Sequence, residues 1–305
     1  HMQDSGGFGK YRGGMGMQRI ILARGSKNLN VNYSPYHGIP GGWGLFGGYP
    51  AGIGGDKYRL DPSNLNEQFS KSRYPVELTS VPEWGEIVAP DLPPLKRLPV
   101  PEGSLLVDPV MVGSGYGDPL ERDPEKVLDD IFNKAVSQKF AKKVYGVELK
   151  NDGHEVDLAA TQKLRDKMRN DRLSTAKPVK DGAPRGKISD NNRRVMRIHE
   201  NLDIFDTGHG FRIGCRCCKE DFGPAEGNYK EAALYRVTAK DAITDLPPPA
   251  GRSSLGHYVE YFCKGCATQL DVETYVPKTD GDKVVPVWDI QISPAAIAHA
   301  AAAHP

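Results

Sequence analysis

The sequence predicts an α+β fold in which a glycine-rich, mostly β N-terminal region is followed by short helices and then by a second β-rich region. Three observations support this prediction. Glycines concentrate at the beginning of the chain, apolar residues recur at helical spacing in its middle, and strand-forming residues flank the cysteines near its end. The chain has 305 residues, which is enough for two domains.

The N-terminal glycines alternate with large apolar residues. Sixteen of the 34 glycines lie within residues 1–56, in runs interrupted by Trp43, Phe46, Tyr49 and the strand-like segment 17–23 (MQRIILA). A disordered glycine tract lacks such apolar residues. We therefore expect short strands joined by tight turns, in which glycine supplies positive φ or lets another backbone approach closely.

The next segment, residues 58–107, is rich in proline. Proline removes a backbone donor and restricts the residue before it, so the short alternating runs at 76–78, 86–88 and 104–107 favour edge strands over helices.

Three helices are expected next. Asp123, Ser137 and Asp157 each precede a run of apolar residues at helical spacing, and all three residue types are typical N-caps. Pro124 then occupies the first helical position, where proline is favoured. In the third helix we expect Leu158, Thr161, Leu164 and Met168 to share one face.

A basic segment follows the helices. Between Lys163 and Arg197 there are 12 Lys or Arg and 4 Asp, a net charge of +8. Residues 174–192 hold two prolines, two glycines and almost no large apolar residue, which indicates a linker. Its charges suit either a solvated surface or docking on an acidic partner. Aromatic residues are not interleaved with them, which argues against single-stranded nucleic acid.

The region after the linker is predicted to be mostly β. Residues 195–205 and 211–215 suggest two strands, residues 258–276 two more, and residues 283–292 a last one. Residues 295–305 suggest a flexible tail, with a short alanine-rich helix as the alternative.

All five cysteines lie in this last region. Cys215 and Cys218 form one C-x-x-C pair and Cys263 and Cys266 another, with 44 residues between the pairs. Four thiolates presented by two tight turns satisfy tetrahedral zinc, so we predict a zinc-ribbon-like domain with a closed, structural Zn²⁺ site. Two disulfides are the alternative. Cys217 is either an alternative ligand or a free thiol beside the site.

Overall charge and hydropathy exclude several function classes. The formal net charge is +1, which gives no global attraction to nucleic acid or to a membrane surface. No apolar stretch is long enough to span a bilayer and no signal pattern precedes the first strand, so the default location is the cytoplasm. The glycine runs lack the Gly-Lys-Ser/Thr ending of a phosphate loop.

His199 and Glu200 are expected to be a surface pair.

Several motifs indicate that parts of the sequence resemble known families. Residues 4–16 (DSGGFGKYRGGMG), 43–48 (WGLFGG) and 113–119 (GSGYGDP) resemble the C-terminal part of the hydantoinase B and oxoprolinase family over about residues 3–172. Residues 194–277, with RVMRIHENLDI, the two cysteine pairs and PAEGNYKE, resemble the gamma subunit of acetone carboxylase.

The two resemblances divide the chain into four parts. Residues 1–173 form the hydantoinase B-like region, 174–192 the linker, 193–294 the gamma-like zinc domain and 295–305 the tail.

Together the resemblances imply a subunit of an ATP-dependent ketone carboxylase complex of the acetone or acetophenone type. Such a complex activates a ketone as its enol phosphate and bicarbonate as carboxyphosphate. A hydantoinase A-like partner would hold ATP and Mg²⁺. The family's His and Asp metal ligands belong to a part that precedes this sequence, so we expect another chain to supply that part, with a second metal, in a hetero-oligomer.

Within such a complex this chain is expected to be mainly structural, and its catalytic residues are unknown. Lys10 or Arg12 would meet a phosphate or carboxylate, or else would pack in the glycine turns. Two other functions stay open: a subunit of an ATP-dependent hydantoinase or oxoprolinase-type amide hydrolase, and a noncatalytic assembly subunit. Acetone, acetophenone and a phenolic relative all stay open as the substrate.

Overall fold

The computed structural model describes residues 1–25, 29–33, 42–51, 58–73, 83–88, 96–110, 113–182, 186–243, 256–275 and 284–303. These residues form an α+β fold with a β-rich C-terminal region, which confirms the predicted class. Among the helices they form, none combines the length and the apolarity needed to cross a bilayer.

The described part of the N-terminal region contributes six strands and one helix. In chain order these are β1 (Met17–Leu22), β2 (Leu29–Tyr33), β3 (Tyr58–Ser63), α1 (Leu65–Ser70), β4 (Gly85–Val88), β5 (Lys96–Val100) and β6 (Leu105–Val110). β1, β6, β3 and β4 form an antiparallel sheet in that order, and β2 pairs with β5. The strands expected at 86–88 and 104–107 are thus confirmed, whereas the run 76–78 lies outside the described residues.

The strand-like segment 17–23 contains β1, as expected, but the glycine segments themselves do not form short strands. Residues 6–16, 42–51 and 113–118 lie side by side, joined by backbone hydrogen bonds such as Gly115 N–H to the Tyr49 carbonyl at 2.9 Å. We call these three segments the glycine cluster. A Cβ added at Gly7, Gly13, Gly44, Gly48 or Gly115 would lie only 1.8–2.4 Å from a backbone atom elsewhere in the cluster. Glycine is therefore required because the main chains touch, not because regular strands turn there.

The three predicted helices are present, with two short strands between the second and the third. They are α2 (Pro124–Phe132), α3 (Gln138–Lys143), β7 (Leu149–Lys150), β8 (Glu155–Val156) and α4 (Leu158–Thr175). The predicted N-caps are confirmed, because Asp123, Ser137 and Asp157 accept hydrogen bonds from backbone N–H groups of the first turn.

The buried face of α4 differs from the apolar face that we predicted. Leu158 is 62% exposed, whereas Thr161, Arg165 and Arg172 are buried. The arginines can be buried because fixed acceptors satisfy their N–H groups. Arg165, for example, donates to the carbonyl oxygens of Tyr145 and Arg122.

Parts of the segment predicted to be a linker pack against the C-terminal region. α4 continues to Thr175, and β9 (Lys177–Pro178) pairs with residues 234–235. Ile188 is buried, and its N–H bonds to the Lys219 carbonyl at 2.8 Å. The four-part division of the chain stays a prediction.

The C-terminal region contains two further four-stranded antiparallel sheets. Their strands are β10 (Arg193–Arg197), β11 (Leu202–Asp206), β12 (Phe211–Cys215), β13 (Asp221–Pro224), β14 (Leu234–Ala239), β15 (His257–Phe262) and β16 (Gln269–Tyr275). The first sheet has the order β10-β11-β12-β13 and the second β16-β15-β14-β9. The single strand expected over 195–205 is two strands, because the N–H groups of Ile198 and His199 both bond to the Leu202 carbonyl and turn the chain.

The end of the chain also differs from expectation. Residues 284–292 form no strand, and instead the Val287 N–H bonds to the Glu273 carboxylate at 2.9 Å. Residues 295–303 lie in α5 (Pro294–Ala303), so the alanine-rich helix that was the alternative to a flexible tail is confirmed for them. Ile297 of α5 is buried in the core of the C-terminal region.

One hydrophobic core is shared by the two halves of the chain. Phe8 and Tyr49 of the glycine cluster, Phe140 of α3 and Tyr258 and Val272 of the C-terminal sheet belong to a single buried cluster. The glycine cluster is therefore packed directly against the region that carries the cysteines.

Candidate metal centre

The first cysteine pair lies in a tight turn between β12 and β13, which we call the first knuckle (residues 215–218). Cys215 is the last residue of β12, and Lys219 has a φ of +63°. The Lys219 N–H bonds to the Cys215 carbonyl at 2.9 Å, and the Cys215 N–H bonds to the Glu220 carbonyl at 2.9 Å. These two hydrogen bonds close the turn and direct both thiols to its inner side.

The second cysteine pair repeats this arrangement between β15 and β16, and we call it the second knuckle (residues 263–266). Ala267 has a φ of +60°, its N–H bonds to the Cys263 carbonyl at 2.8 Å, and the Cys263 N–H bonds to the Thr268 carbonyl at 2.9 Å. The two knuckles thus share one backbone geometry, although they come from different sheets.

The four predicted thiols come together. The Sγ atoms of Cys215, Cys218, Cys263 and Cys266 lie within 4.8 Å of one another, and two cross-knuckle pairs are 3.7 and 3.6 Å apart. Four sulfurs about 2.3 Å from a tetrahedral metal are about 3.8 Å from each other, whereas a disulfide requires about 2.05 Å. The donor set therefore fits a thiolate-bound metal ion, and the geometry does not support the disulfide alternative.

Hydrogen bonds among the four sulfurs change their acidity. They lower the pKa values of the Cys218 and Cys266 thiols and raise those of Cys215 and Cys263. Four thiolates at this distance would also repel one another. A bound cation would remove that repulsion and allow all four groups to ionise.

The surroundings of the cluster hold the knuckles together. The Thr268 hydroxyl lies 3.2 Å from Cys266 Sγ. A Cβ on Gly265 would come within 2.8 Å of both Cys218 Sγ and a Glu220 carboxylate oxygen, so glycine is needed where the second knuckle passes the first. Cys217 is exposed and its sulfur is not part of the group of four.

Polar contacts join the glycine cluster to the first sheet of the C-terminal region. Lys10 Nζ lies 2.8 Å from one carboxylate oxygen of Glu200, and the Tyr116 hydroxyl donates to the other at 3.1 Å. The Phe46 ring packs edge-on against the His199 imidazole, with centroids 4.4 Å apart. The predicted surface pair His199 and Glu200 therefore lies at an internal junction.

His199 is buried at this junction. Its Nε2 lies 2.8 Å from the Leu270 carbonyl oxygen, and its Nδ1 accepts a hydrogen bond from the Asn201 N–H. Burial lowers the pKa of His199 to about 4. A neutral imidazole with a proton on Nε2 satisfies both contacts, so this histidine has a structural role.

The two cations that we expected to meet a phosphate or carboxylate are paired within the chain. Lys10 contacts Glu200, as above, and Arg12 lies 3.0 Å from Asp130, which also binds Arg122. In the part of the chain that the structure describes, both of these side chains therefore hold the glycine cluster to its neighbours.

Sequence reasoning missed a buried lysine cluster. Lys230 is fully buried, and its Nζ lies 2.5 Å from Asp271, 2.8 Å from Glu273 and 3.4 Å from Asp289. Burial disfavours the charge, but these carboxylates outweigh it and raise the pKa of Lys230. No local pattern could reveal the cluster, because its members come from β16, from residues 284–292 and from the turn before β14.

Two family models match separate parts of the chain. Residues 1–119 match the model of hydantoinase B/oxoprolinase, and residues 189–284 match that of the acetone carboxylase gamma subunit. Both resemblances noted in the sequence are thus confirmed.

Two relatives of the chain are named as carboxylase subunits. It is 34% identical over 192 residues to the acetone carboxylase alpha subunit of Xanthobacter autotrophicus, covering 58% of this chain and 24% of the relative. It is 30% identical over 189 residues to the acetophenone carboxylase delta subunit of Aromatoleum aromaticum, covering 54% and 25%. A solved nucleotide-free acetone carboxylase matches with 31% identity and a TM-score of 0.49, covering 58% and 25%. The chain therefore spans about a quarter of the length of the relatives that it matches.

Proposed function

We propose that the chain is a subunit of an ATP-dependent ketone carboxylase complex that fixes bicarbonate onto a ketone through phosphorylated intermediates. The observation that carries the proposal is the presence, on one chain and around one shared core, of a hydantoinase B region and an acetone carboxylase gamma region. The names of the two carboxylase relatives support it. Such a complex would work in the cytoplasm, where ATP and bicarbonate are supplied.

The proposal includes a structural Zn²⁺ held by Cys215, Cys218, Cys263 and Cys266. Four thiolates leave no open coordination position, so the ion would cross-link the two knuckles and would not bind substrate or water. Binding of the ion would stabilise the folded state. The paired state of Lys10 and Arg12 likewise supports a mainly structural role for this chain.

Catalysis would then depend on partner chains. A hydantoinase A-like partner would bind ATP and Mg²⁺. Reactive phosphates have to be protected from water during such a reaction. The glycine cluster, in which a Cβ at Gly7, Gly13 or Gly48 would collide with neighbouring main chain, would provide part of the wall that excludes water.

An exposed apolar face of the glycine cluster is suited to a contact with another subunit. Tyr11 and Leu45 each form a β-bridge with Tyr116, which places the three side chains on one side. Tyr11, Leu45 and the nearby Trp43 are 60%, 56% and 64% exposed. We call Tyr11, Trp43, Leu45 and Tyr116 the aromatic face. Grouped apolar residues of this kind mark interaction sites, and we assign this one to a contact with another subunit of the complex.

A second candidate function is an ATP-dependent amide hydrolase, which the hydantoinase B/oxoprolinase match alone would permit. The match over residues 189–284 argues against an amide hydrolase, because the matching model is that of the acetone carboxylase gamma subunit. The third candidate function is that of a noncatalytic assembly subunit, and it concerns this chain considered without its partners.

One assay separates these functions. The complex reconstituted from this chain and its partners is incubated with ATP, labelled bicarbonate and a panel of ketones, and separately with hydantoin and oxoproline. Ketone-dependent incorporation of label supports the proposal. Hydrolysis of hydantoin or oxoproline without incorporation of label contradicts it and supports the amide hydrolase.

A further inference from the structure

The guanidinium group of Arg172 joins three separate parts of the molecule. Arg172 lies in the last turn of α4 and is buried. Its Nη1 donates to Asp118 Oδ2 at 2.7 Å and to the Ala267 carbonyl at 3.0 Å. Its Nη2 donates to Asp118 Oδ1 at 2.9 Å and to the side-chain oxygen of Gln269 at 3.3 Å. All four acceptors are thus held by one planar group, which lysine could not reproduce.

One of these acceptors belongs to the second knuckle. Ala267 directly follows Cys266, is fully buried and has a φ of +60°, a conformation that costs free energy for any residue with a Cβ. Its N–H closes the knuckle by bonding to the Cys263 carbonyl. Arg172 fixes the other side of the same residue, so it holds the backbone that directs Cys263 and Cys266 towards the other two thiols.

The remaining acceptors belong to the glycine cluster or contact it. Asp118 ends the cluster and also accepts a hydrogen bond from the Gln269 N–H at 2.9 Å. The Gln269 side-chain amide donates to the Gly47 carbonyl at 2.7 Å. The position of the second knuckle and the position of the glycine cluster are therefore set by one set of hydrogen bonds.

We propose that Arg172 is a positioning residue for the metal centre and that it couples metal binding to the packing of the glycine cluster. This inference rests on the proposed four-thiolate site. Because such coupling is reciprocal, an intact Arg172 network tightens metal binding, and bound metal in turn stabilises the packed glycine cluster.

Arg236 provides a matched control. Its guanidinium lies 5.3 Å from the centroid of the Phe262 ring, and that of Arg172 lies 5.1 Å from the same centroid. Arg236 also pairs with a buried carboxylate, that of Glu260, at 2.8 Å. Its other hydrogen bond goes to the hydroxyl of Thr175 and not to the knuckle. Truncation of Arg236 therefore removes an ion pair to a buried carboxylate, with the arginine itself half-buried, without touching the cysteine backbone.

The test is Co²⁺ binding to the reduced, metal-free full-length chain. Thiolate-to-cobalt absorption reports tetrahedral sulfur coordination, and competition with a chelator gives the Kd. We expect Arg172→Met to weaken Co²⁺ binding at least about 10-fold, Arg172→Lys to recover part of the loss, and Arg236→Met to stay within about twofold of the parent. If Arg172→Met does not fold, Gln269→Leu keeps the ion pair and should weaken binding about fivefold.

A second readout tests the other direction of the coupling. In the parent chain, bound Co²⁺ should slow amide hydrogen exchange in residues 42–51 and 113–118, and this effect should shrink in Arg172→Met or Gln269→Leu. Equal Kd values for the parent and these variants, or metal protection confined to the knuckles, would overturn the inference while leaving the metal site intact. Failure of the parent to bind Co²⁺ would overturn the metal site itself, and the inference with it.

Discussion

Gly47 and Gln269, 222 residues apart in the chain, are in direct backbone contact. A Cβ on Gly47 would lie 2.2 Å from the Gln269 carbonyl oxygen, and the Gln269 side chain donates to the Gly47 carbonyl at 2.7 Å. Gly47 also has a φ of +97°, which favours glycine. This contact fixes the glycine cluster against Gln269, the first residue of β16, which lies three residues after Cys266.

We expect Gly47→Ala to destabilise the chain by more than its backbone conformation explains. Gly208 is the control, because it has a φ of +75° with open space around its Cβ position. Gly208→Ala should cost about 1–2 kcal/mol of unfolding free energy from φ alone. Gly47→Ala should cost about 1–3 kcal/mol more from overpacking, as measured by urea unfolding. Equal losses for the two variants would show that the close contact is not needed.

The metal content should depend on four cysteines and not on the fifth. Cys218→Ser removes one sulfur of the group of four, whereas Cys217→Ser changes an exposed thiol beside it. Elemental analysis should find about one zinc per chain in Cys217→Ser and strongly reduced zinc in Cys218→Ser. Chelation of the metal should lower the Tm of the parent and of Cys217→Ser alike. Loss of zinc from Cys217→Ser would show that the ligand set is wrong.

Stability should fall in mildly acidic solution because of His199. Burial holds the pKa of His199 at about 4, below its ordinary value of 6.5, so the unfolded state binds more protons between these two values. The free energy of unfolding therefore decreases as the pH falls below 6.5. Between about pH 7.5 and about pH 5 the histidine should account for a loss of about 2 kcal/mol.

Urea unfolding of His199→Gln at both pH values measures this contribution. The variant should be less stable at neutral pH, where it lacks the imidazole contacts, but its stability should change less with pH than that of the parent. His209→Gln, at an exposed position in the turn after β11, is the control and should keep the parent's pH dependence. An unchanged pH dependence in His199→Gln would exclude His199 as its source.

Local chemistry made part of this structure predictable. Asp123, Ser137 and Asp157 start helices through their own side chains, and the two C-x-x-C pairs form knuckles within a few residues of chain. Each of these features depends on neighbours in the sequence, so spacing and residue type were sufficient to predict it.

The features that sequence reasoning missed depend on distant parts of the chain. The glycine cluster is built from three segments whose main chains touch, and no single segment reveals its neighbours. The buried face of α4 carries Arg165 and Arg172, which an apolar pattern cannot detect. The turn within 195–205 forms around His199, whose burial is completed by Phe46 and Leu270.

Substitution of Trp43 should separate partner binding from folding. Trp43→Ser removes the most exposed side chain of the aromatic face, and we expect the Tm of the isolated chain to change little. Binding to the other subunits of the complex should weaken by about 2 kcal/mol, roughly 30-fold in Kd. Trp288→Ser, at an exposed tryptophan of the C-terminal region, should leave this Kd unchanged. Calorimetric titration measures both, and equal Kd values for the two variants would rule out the aromatic face as the docking site.

Whether this chain is a carboxylase subunit is decided by isolating it under mild conditions from the cells that produce it and identifying the proteins bound in fixed stoichiometry. We expect a hydantoinase A-like chain among them. Recovery of the chain alone, or only with copies of itself, would show that it is not part of such a complex.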